Sequence, residues 1–297
     1  MGGFQSDVEV VRQRSAPKVQ VAQRLSWIFR HSAIVRVTHW INFLCLAVLL
    51  MSGLQIFNAH SALYWGQESD FQHPLLAMHA SPGQHGSLRG ITTILDHDFD
   101  TTGVLGLSYV PGVGVRERGF PAWVTLPGMQ WLAMGRRWHF FFAWIFVVNG
   151  LVYLTSGLAS GHFHRDLLPT GEQLRHIGGA IWDHLRLRFP KGEEARRYNV
   201  LQKLAYLGVV LLILPCIALA GMTMSPNLDS IAPQLVILFG GRQSARTIHF
   251  LCAAVLLIFL LVHVVMVLLS GVWNNMRSMT TGWYRIEHTE DINDGTA

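Results

Sequence analysis

Charge is scarce in this sequence. Asp, Glu, Lys and Arg make up 14% of it, against about 25% in a typical soluble domain. The shortage is local: residues 37–67, 138–163, 204–228 and 247–276 contain none of the four. That pattern points to a membrane protein rather than to a large soluble core. Cysteine is nearly absent too, with only Cys45, Cys216 and Cys252, each inside an apolar run. No CxxCH occurs, which excludes covalent c-type haem attachment and leaves the three as small buried hydrophobes. The first thirty or so residues are polar and basic and lack the early apolar stretch of a secretory signal, so the first hydrophobic segment is expected to stay as a helix. Internal repeats and low-complexity segments are missing. The net charge of +5 forms no single basic patch, which argues against nucleic acid as a partner.

What is present in quantity is apolar sequence, 51% of the chain. Each uncharged stretch supplies the ~20 residues that cross a ~30 Å hydrocarbon layer. Each must be helical, because lipid offers backbone groups no partner. The expected spans are about 33–57, 137–160, 200–225 and 245–272. Lys and Arg then set the orientation. Sixteen of the 23 fall in the N-terminal tail, the loop 161–203 (with Arg186, Arg188, Lys191, Arg196 and Arg197) and the C-terminal tail (Arg277 and Arg285). Both termini are therefore expected in the cytoplasm, as tails 1–32 and 285–297 around a membrane domain 33–284. The inner loop 161–199 is expected to lay a helix from about Leu167 to Phe189 along the inner, plasma-membrane surface, its cations toward anionic lipid. The outer loop 58–136 carries TTGVLG, PGVGV, FPAWVTLPG and the acidic run Asp96, Asp98, Asp100. It reads as an ordered but irregular cap, either a passive lid or a docking surface.

Four of the fifteen histidines lie within the spans, where ionisable groups are costly and usually functional. They are His39, His139, His249 and His263. His249 and His263 are fourteen residues apart, about 40° short of four full turns and ~21 Å along the axis. One helix thus presents two imidazoles on one face at two depths. Span direction places His39 at the depth of His263, near the inner surface, and His139 at the depth of His249, near the outer. Each pair is expected to clamp one haem iron. Zinc would want three or four clustered ligands. Ordinary hydrogen-bonded core histidines would have no reason to form two depth-matched pairs.

Two sets of residues fit this expectation. Arg36, Arg136 and Arg246 each precede a proposed ligand by three, on the same face and nearer the surface. They could pair with haem propionates, although arginines also flank spans as plain anchors. Gly53 and Gly150 follow His39 and His139 on the ligand face, at the depth of the other haem. Their missing side chains would let a flat macrocycle lie against the helix. Trp144, Tyr153 and Tyr206 lie in spans and are candidates for quinone contact or for simple packing.

The runs RVTHWINFLCLAVLLMSGLQIF, GRRWHFFFAWIFVVNGLVYLTSG, YNVLQKLAYLGVVLLILPCIALAGMTMSP and RTIHFLCAAVLLIFLLVHVVMVLLSGVWNNMRSMTTGWY resemble the thiosulfate-reductase-type cytochrome b membrane subunits. These are related to the formate dehydrogenase gamma subunit and the nickel–iron hydrogenase b-type cytochrome. ALYWG, SDF and RGFPAW in the outer loop are similar to that branch in particular. The resemblance runs from about Arg30 to Tyr284. It implies an all-α, four-helix membrane bundle holding two haems b on the same four histidines. It also implies electron transfer between membrane quinone and a periplasmic partner, with a molybdopterin oxidoreductase the expected one. A self-sufficient oxidoreductase acting on a small outer substrate such as superoxide is the second expectation. A haem carrier or plain membrane anchor is the third.

Overall fold

The computed structural model describes residues 21–83, 87–110, 112–161, 163, 167–186, 200–225 and 230–291. Hydropathy dictates its frame. Helix α1 (Ala33–Phe57), α2 (Leu132–Ala159), a third span at Val200–Thr223 and a fourth at Arg242–Leu269 are all long and apolar enough to cross a membrane. The expected boundaries hold to within about five residues. Ser32 caps α1, its hydroxyl accepting from the Val35 N–H at 3.4 Å.

The helices associate in two pairs. α1 packs along α2, and the third span packs along the fourth. Without a hydrophobic force between helices in lipid, close approach and polar bonds must hold such pairs. Asn149 of α2 supplies one. Its buried Nδ2 donates to the Thr38 carbonyl at 2.9 Å and to Asn42 Oδ1 at 2.8 Å on α1.

The third span is not one regular helix. It runs as α5 (Val200–Gly208), a π turn at Val209–Ile213, and α6 (Leu214–Thr223). The π turn ends two residues before Pro215, which has no N–H and whose ring would clash with a carbonyl one turn back. Between the second and third spans, α3 (Gly171–Arg175) and α4 (Ile177–Leu185) form two short pieces where one surface helix was expected. The expected cations Arg188, Lys191, Arg196 and Arg197 lie outside the described residues. A short α7 (Gln234–Leu238) leads into the fourth span, α8, followed by α9 (Val272–Thr281).

The expectation of an irregular outer loop is corrected. A four-stranded antiparallel sheet in the order β2–β3–β4–β5 (Ala62–Leu63, Leu76–Pro82, Leu88–Ile94, His97–Asp100) occupies it, with a hairpin β6–β7 (Gly106–Val110, Gly114–Arg118) packed against it. The strands are short and interrupted by glycine, which read as a breaker signal. Gly90 shows why that reading fails: a Cβ there would run into the Leu105 carbonyl and the Leu107 N–H. The glycine marks close backbone approach between strands, not irregularity.

The cap is latched to α1. Asn58, just past the helix end, pairs both ways with Phe120, accepting at 2.7 Å and donating at 3.0 Å. Arg118 is 1% exposed. It donates to the Gly128 carbonyl at 2.8 Å, to Gln55 Oε1 at 3.2 Å and to Thr125 Oγ1 at 3.0 Å. A cationic side chain buried among neutral acceptors is costly, so these bonds fix its position.

Parts of both expected tails are structured. β1 (Val21–Phe29) and β8 (Trp283–Asp291) form an antiparallel ribbon in which Phe29 pairs with Trp283. The adjoining α9 is tied to the start of α1 by Arg36, which donates to the Thr280 carbonyl, and by Trp40 Nε1, which donates to the Met279 carbonyl at 3.0 Å.

Candidate metal centres

The four histidines within the spans meet as two pairs across the gap between the helix pairs. His39 of α1 and His263 of α8 have ring centres 6.3 Å apart and planes at 54°. His139 of α2 and His249 of α8 have ring centres 6.1 Å apart and planes at 60°. These are the pairings that span direction implied. An imidazole nitrogen binds a transition metal at ~2.0 Å and lies ~1.1 Å from its ring centre, so two rings on opposite sides of one ion sit ~6.2 Å apart. Both pairs fit that spacing. Among the described residues no three His, Cys, Asp or Glu side chains gather at one point, so the donor set suits two axial ligands rather than a zinc cluster.

The two pairs are supported differently. In the outer pair, both Nδ1 atoms are engaged. His249 Nδ1 donates to the Ile217 carbonyl of α6 at 2.8 Å. His139 Nδ1 lies 3.1 Å from Ser52 Oγ, whose own proton goes to the Val48 carbonyl at 2.6 Å. Ser52 therefore accepts from His139. Both bonds put the proton on Nδ1 and leave Nε2 with a free lone pair, the arrangement a metal-binding histidine needs. In the inner pair, His263 stacks on Phe259 with ring centres 6.0 Å apart. His39 Nδ1 is buried and has no hydrogen-bond partner among the described residues.

Small residues clear space for the outer rings. A Cβ on Gly53 would sit 3.4 Å from His139 Cε1, and one on Gly221 would sit 3.1 Å from His249 Cε1. Gly53 therefore reaches the depth of the outer pair, as its spacing from His39 implied. A side chain at Gly150 would meet no described atom within 4 Å.

The three arginines are not equivalent. Arg36 reaches α9, as described above. Arg136 lies over the Phe140 ring at 5.6 Å. Arg246 lies over the Phe57 ring at 5.7 Å and donates to the His60 carbonyl. His60 itself was passed over in the sequence as one loop histidine among eleven. Its ring stacks on Tyr64 at 5.6 Å, and its Nε2 is buried with no hydrogen-bond partner among the described residues. Burial, aided by the nearby Arg246 charge, pushes the His60 pKa below its usual value. The span aromatics divide. Tyr153 packs edge-on against Phe163 at 5.7 Å and Tyr206 against Phe259 at 6.3 Å. Trp144 lines an apolar groove of about 630 Å³ between α1 and α2, with Asn149 and Thr38 also at its wall.

Sequence reasoning missed Ser52, Ile217 and Gly221. Serine and glycine are common in membrane helices, and a backbone carbonyl leaves no mark in a sequence. Only Pro215, two residues before Ile217, signalled that α6 departs from a plain span.

The sequence profile of a family described as prokaryotic cytochrome b561 matches residues 30–282. A relative in Azospira oryzae, described as a putative protein-methionine-sulfoxide reductase subunit YedZ1, is 28% identical over 239 residues, covering 80% of this chain and 90% of the relative. No solved structure matches the chain.

Proposed function

The chain belongs to the prokaryotic cytochrome b561 family, and from that premise we propose that it is a di-haem membrane subunit relaying electrons between the quinone pool and an oxidoreductase on the outer face. His39 and His263 ligate the inner haem b, and His139 and His249 the outer. The observation that carries this reading is the spacing of the two imidazole pairs, 6.3 Å and 6.1 Å, at opposite ends of one helix. When bound, each haem supplies one-electron redox chemistry. The protein's own part is to ligate, to hold the outer rings through Ser52 and Ile217, and to keep water away from both sites. Arg36, Arg136 and Arg246 provide cations on the surface side of the ligands, where propionates reach. Gly53 and Gly150 leave room for the macrocycles.

The partner is a periplasmic molybdopterin oxidoreductase, and the chain sits in the inner (plasma) membrane with both termini cytoplasmic. The description of the Azospira oryzae relative as a putative reductase subunit supports a partnered role. The competing reading is a self-sufficient quinone-linked oxidoreductase acting on a small outer substrate such as superoxide. Quinone-linked turnover by the purified chain alone would favour it.

The test is a haemochrome assay followed by an optical redox titration with a quinol. Two haems b per chain and reduction by quinol are expected. His263→Ala should remove the inner haem and spare the outer. One haem in the unaltered protein, or loss of the outer haem from this variant, would overturn the pairing.

A further inference from the structure

The segment between α1 and β3 is clamped onto the first turns of α8. The Gly66 carbonyl accepts from the Gln243 and Ser244 N–H groups, both at 3.1 Å. The Thr247 hydroxyl donates to the Tyr64 carbonyl at 2.6 Å. This seats His60 and Tyr64 on Arg246, one turn above His249. Phe71 completes the stack, with ring centres 5.9 Å from His60 and 5.8 Å from Tyr64. It is nevertheless 74% exposed. A large aromatic held by two rings and still facing outward is an uncommon use of apolar surface.

The strand register brings a second segment to the same place. Leu63 pairs with Leu76, Leu76 with Ile94, and Ile94 with His97. The β4–β5 turn thus lies at the same end of the sheet as the Phe71 loop. Leu95 and Asp96 of that turn both have positive φ, 46° and 65°. Leu95 is also well exposed. Residues 60–76 and 91–99 contain Glu68, Asp70, Asp96 and Asp98 and no Lys or Arg. Two cations border the loop: Arg242, whose backbone N–H donates to Gln67 Oε1 at 3.2 Å, and Arg246 beneath His60. Asp70 stays ionised, since the Gln72 N–H beside it holds its carboxyl below the usual range.

We propose that this face, with Phe71 and Leu95 at its centre and Glu68, Asp70, Asp96 and Asp98 around them, docks a soluble redox protein with a basic-rimmed, apolar-centred surface. The inference rests on the proposed electron-relay function and gives its outer partner a landing place. Phe71, His60 and Arg246 form the contact path from solvent to the helix turn that carries His249. The acidic rim steers a basic partner and repels anionic lipid headgroups. An aromatic anchor at the centre suits a protein interface. Transfer here moves a single electron, oxidising the chain and reducing the partner, with no bond made or broken.

The experiment uses the full-length, haem-loaded chain in detergent, pre-reduced with quinol, and an oxidised basic c-type cytochrome as probe. Neutralising the rim by E68Q, D70N, D96N and D98N together should lower the second-order rate at low salt about tenfold or more and flatten its salt dependence. Phe71→Ala should lower the saturating rate and leave the salt slope intact. Glu117→Gln, on β7, should change neither. Ferricyanide, a small anion, should not be slowed by the rim changes. Unaltered rates and salt slopes in variants that keep the two-haem spectrum would overturn the docking face. An unaltered chain without that spectrum would instead overturn the relay on which it rests.

Discussion

His139 and His39 are the same residue type at mirrored depths, yet their rings are held differently. A hydrogen bond from Nδ1–H to an acceptor makes the opposite nitrogen a stronger donor and stabilises the oxidised metal. His139 has such an acceptor in Ser52 Oγ at 3.1 Å. His39 Nδ1 has none among the described residues. Ser52→Ala should therefore raise the midpoint potential of the outer haem and leave the inner one in place, read by potentiometric titration of the two optical components. Ser52→Thr retains the hydroxyl and should stay close to the unaltered protein. A shift in the inner component, or equal shifts in both variants, would contradict the assignment. The meeting of the four span histidines in two pairs was legible because fourteen residues between His249 and His263 impose a face and a depth, and span direction gives the depths of His39 and His139. Ser52 was not, since its meaning depends on a ring 87 positions away. The contacts of the arginines were not legible: the i–3 spacing puts Arg36 and Arg246 one turn from a histidine, but the carbonyls they donate to come from α9 and from the segment after α1.

The third span is the element whose irregularity matters most. It contributes none of the four paired histidines, but it positions one of them. Its π turn precedes the stretch in which Ile217 offers its carbonyl to His249 and Gly221 lets the ring approach. A Cβ at Gly221 would lie 3.1 Å from His249 Cε1 and 3.3 Å from Nδ1. A larger side chain must displace the ring, and overpacking of this kind costs about 1–3 kcal/mol. Gly221→Leu should thus lose the outer haem while keeping the inner. Gly208→Leu, on the same span and with nothing described within 4 Å of its added Cβ, should keep both. The haemochrome count and the split of the optical band distinguish these outcomes. Helix positions were legible because lipid forces both apolarity and helicity on a span. The outer strands were hidden because they run for only two to seven residues and use Gly90 and Gly106 as contact points. Their pairing partners, not their own composition, define them.

At the scale of the molecule, the ribbon sets Val21 beside Asp291 and so places the two described ends on one side of the four spans, as an even number of crossings requires. The ribbon does not say which side that is. The proposed orientation takes the side from the excess of Lys and Arg. Val113→Cys, in the exposed turn between β6 and β7, should react with a membrane-impermeant maleimide on intact spheroplasts. Arg285→Cys, on the ribbon, should react only after permeabilisation. The native Cys45 and Cys252 are buried, and Cys216 lies within a span, so the background should be low. The opposite labelling pattern would turn the molecule over. His39 and His263 would then stand at the outer surface, and the acidic face around Phe71 would meet cytoplasmic rather than periplasmic proteins. The pairing of the histidines would survive that inversion, because it depends on the relative direction of the helices alone. The assignment of a partner would not, because it depends on which compartment the sheet faces.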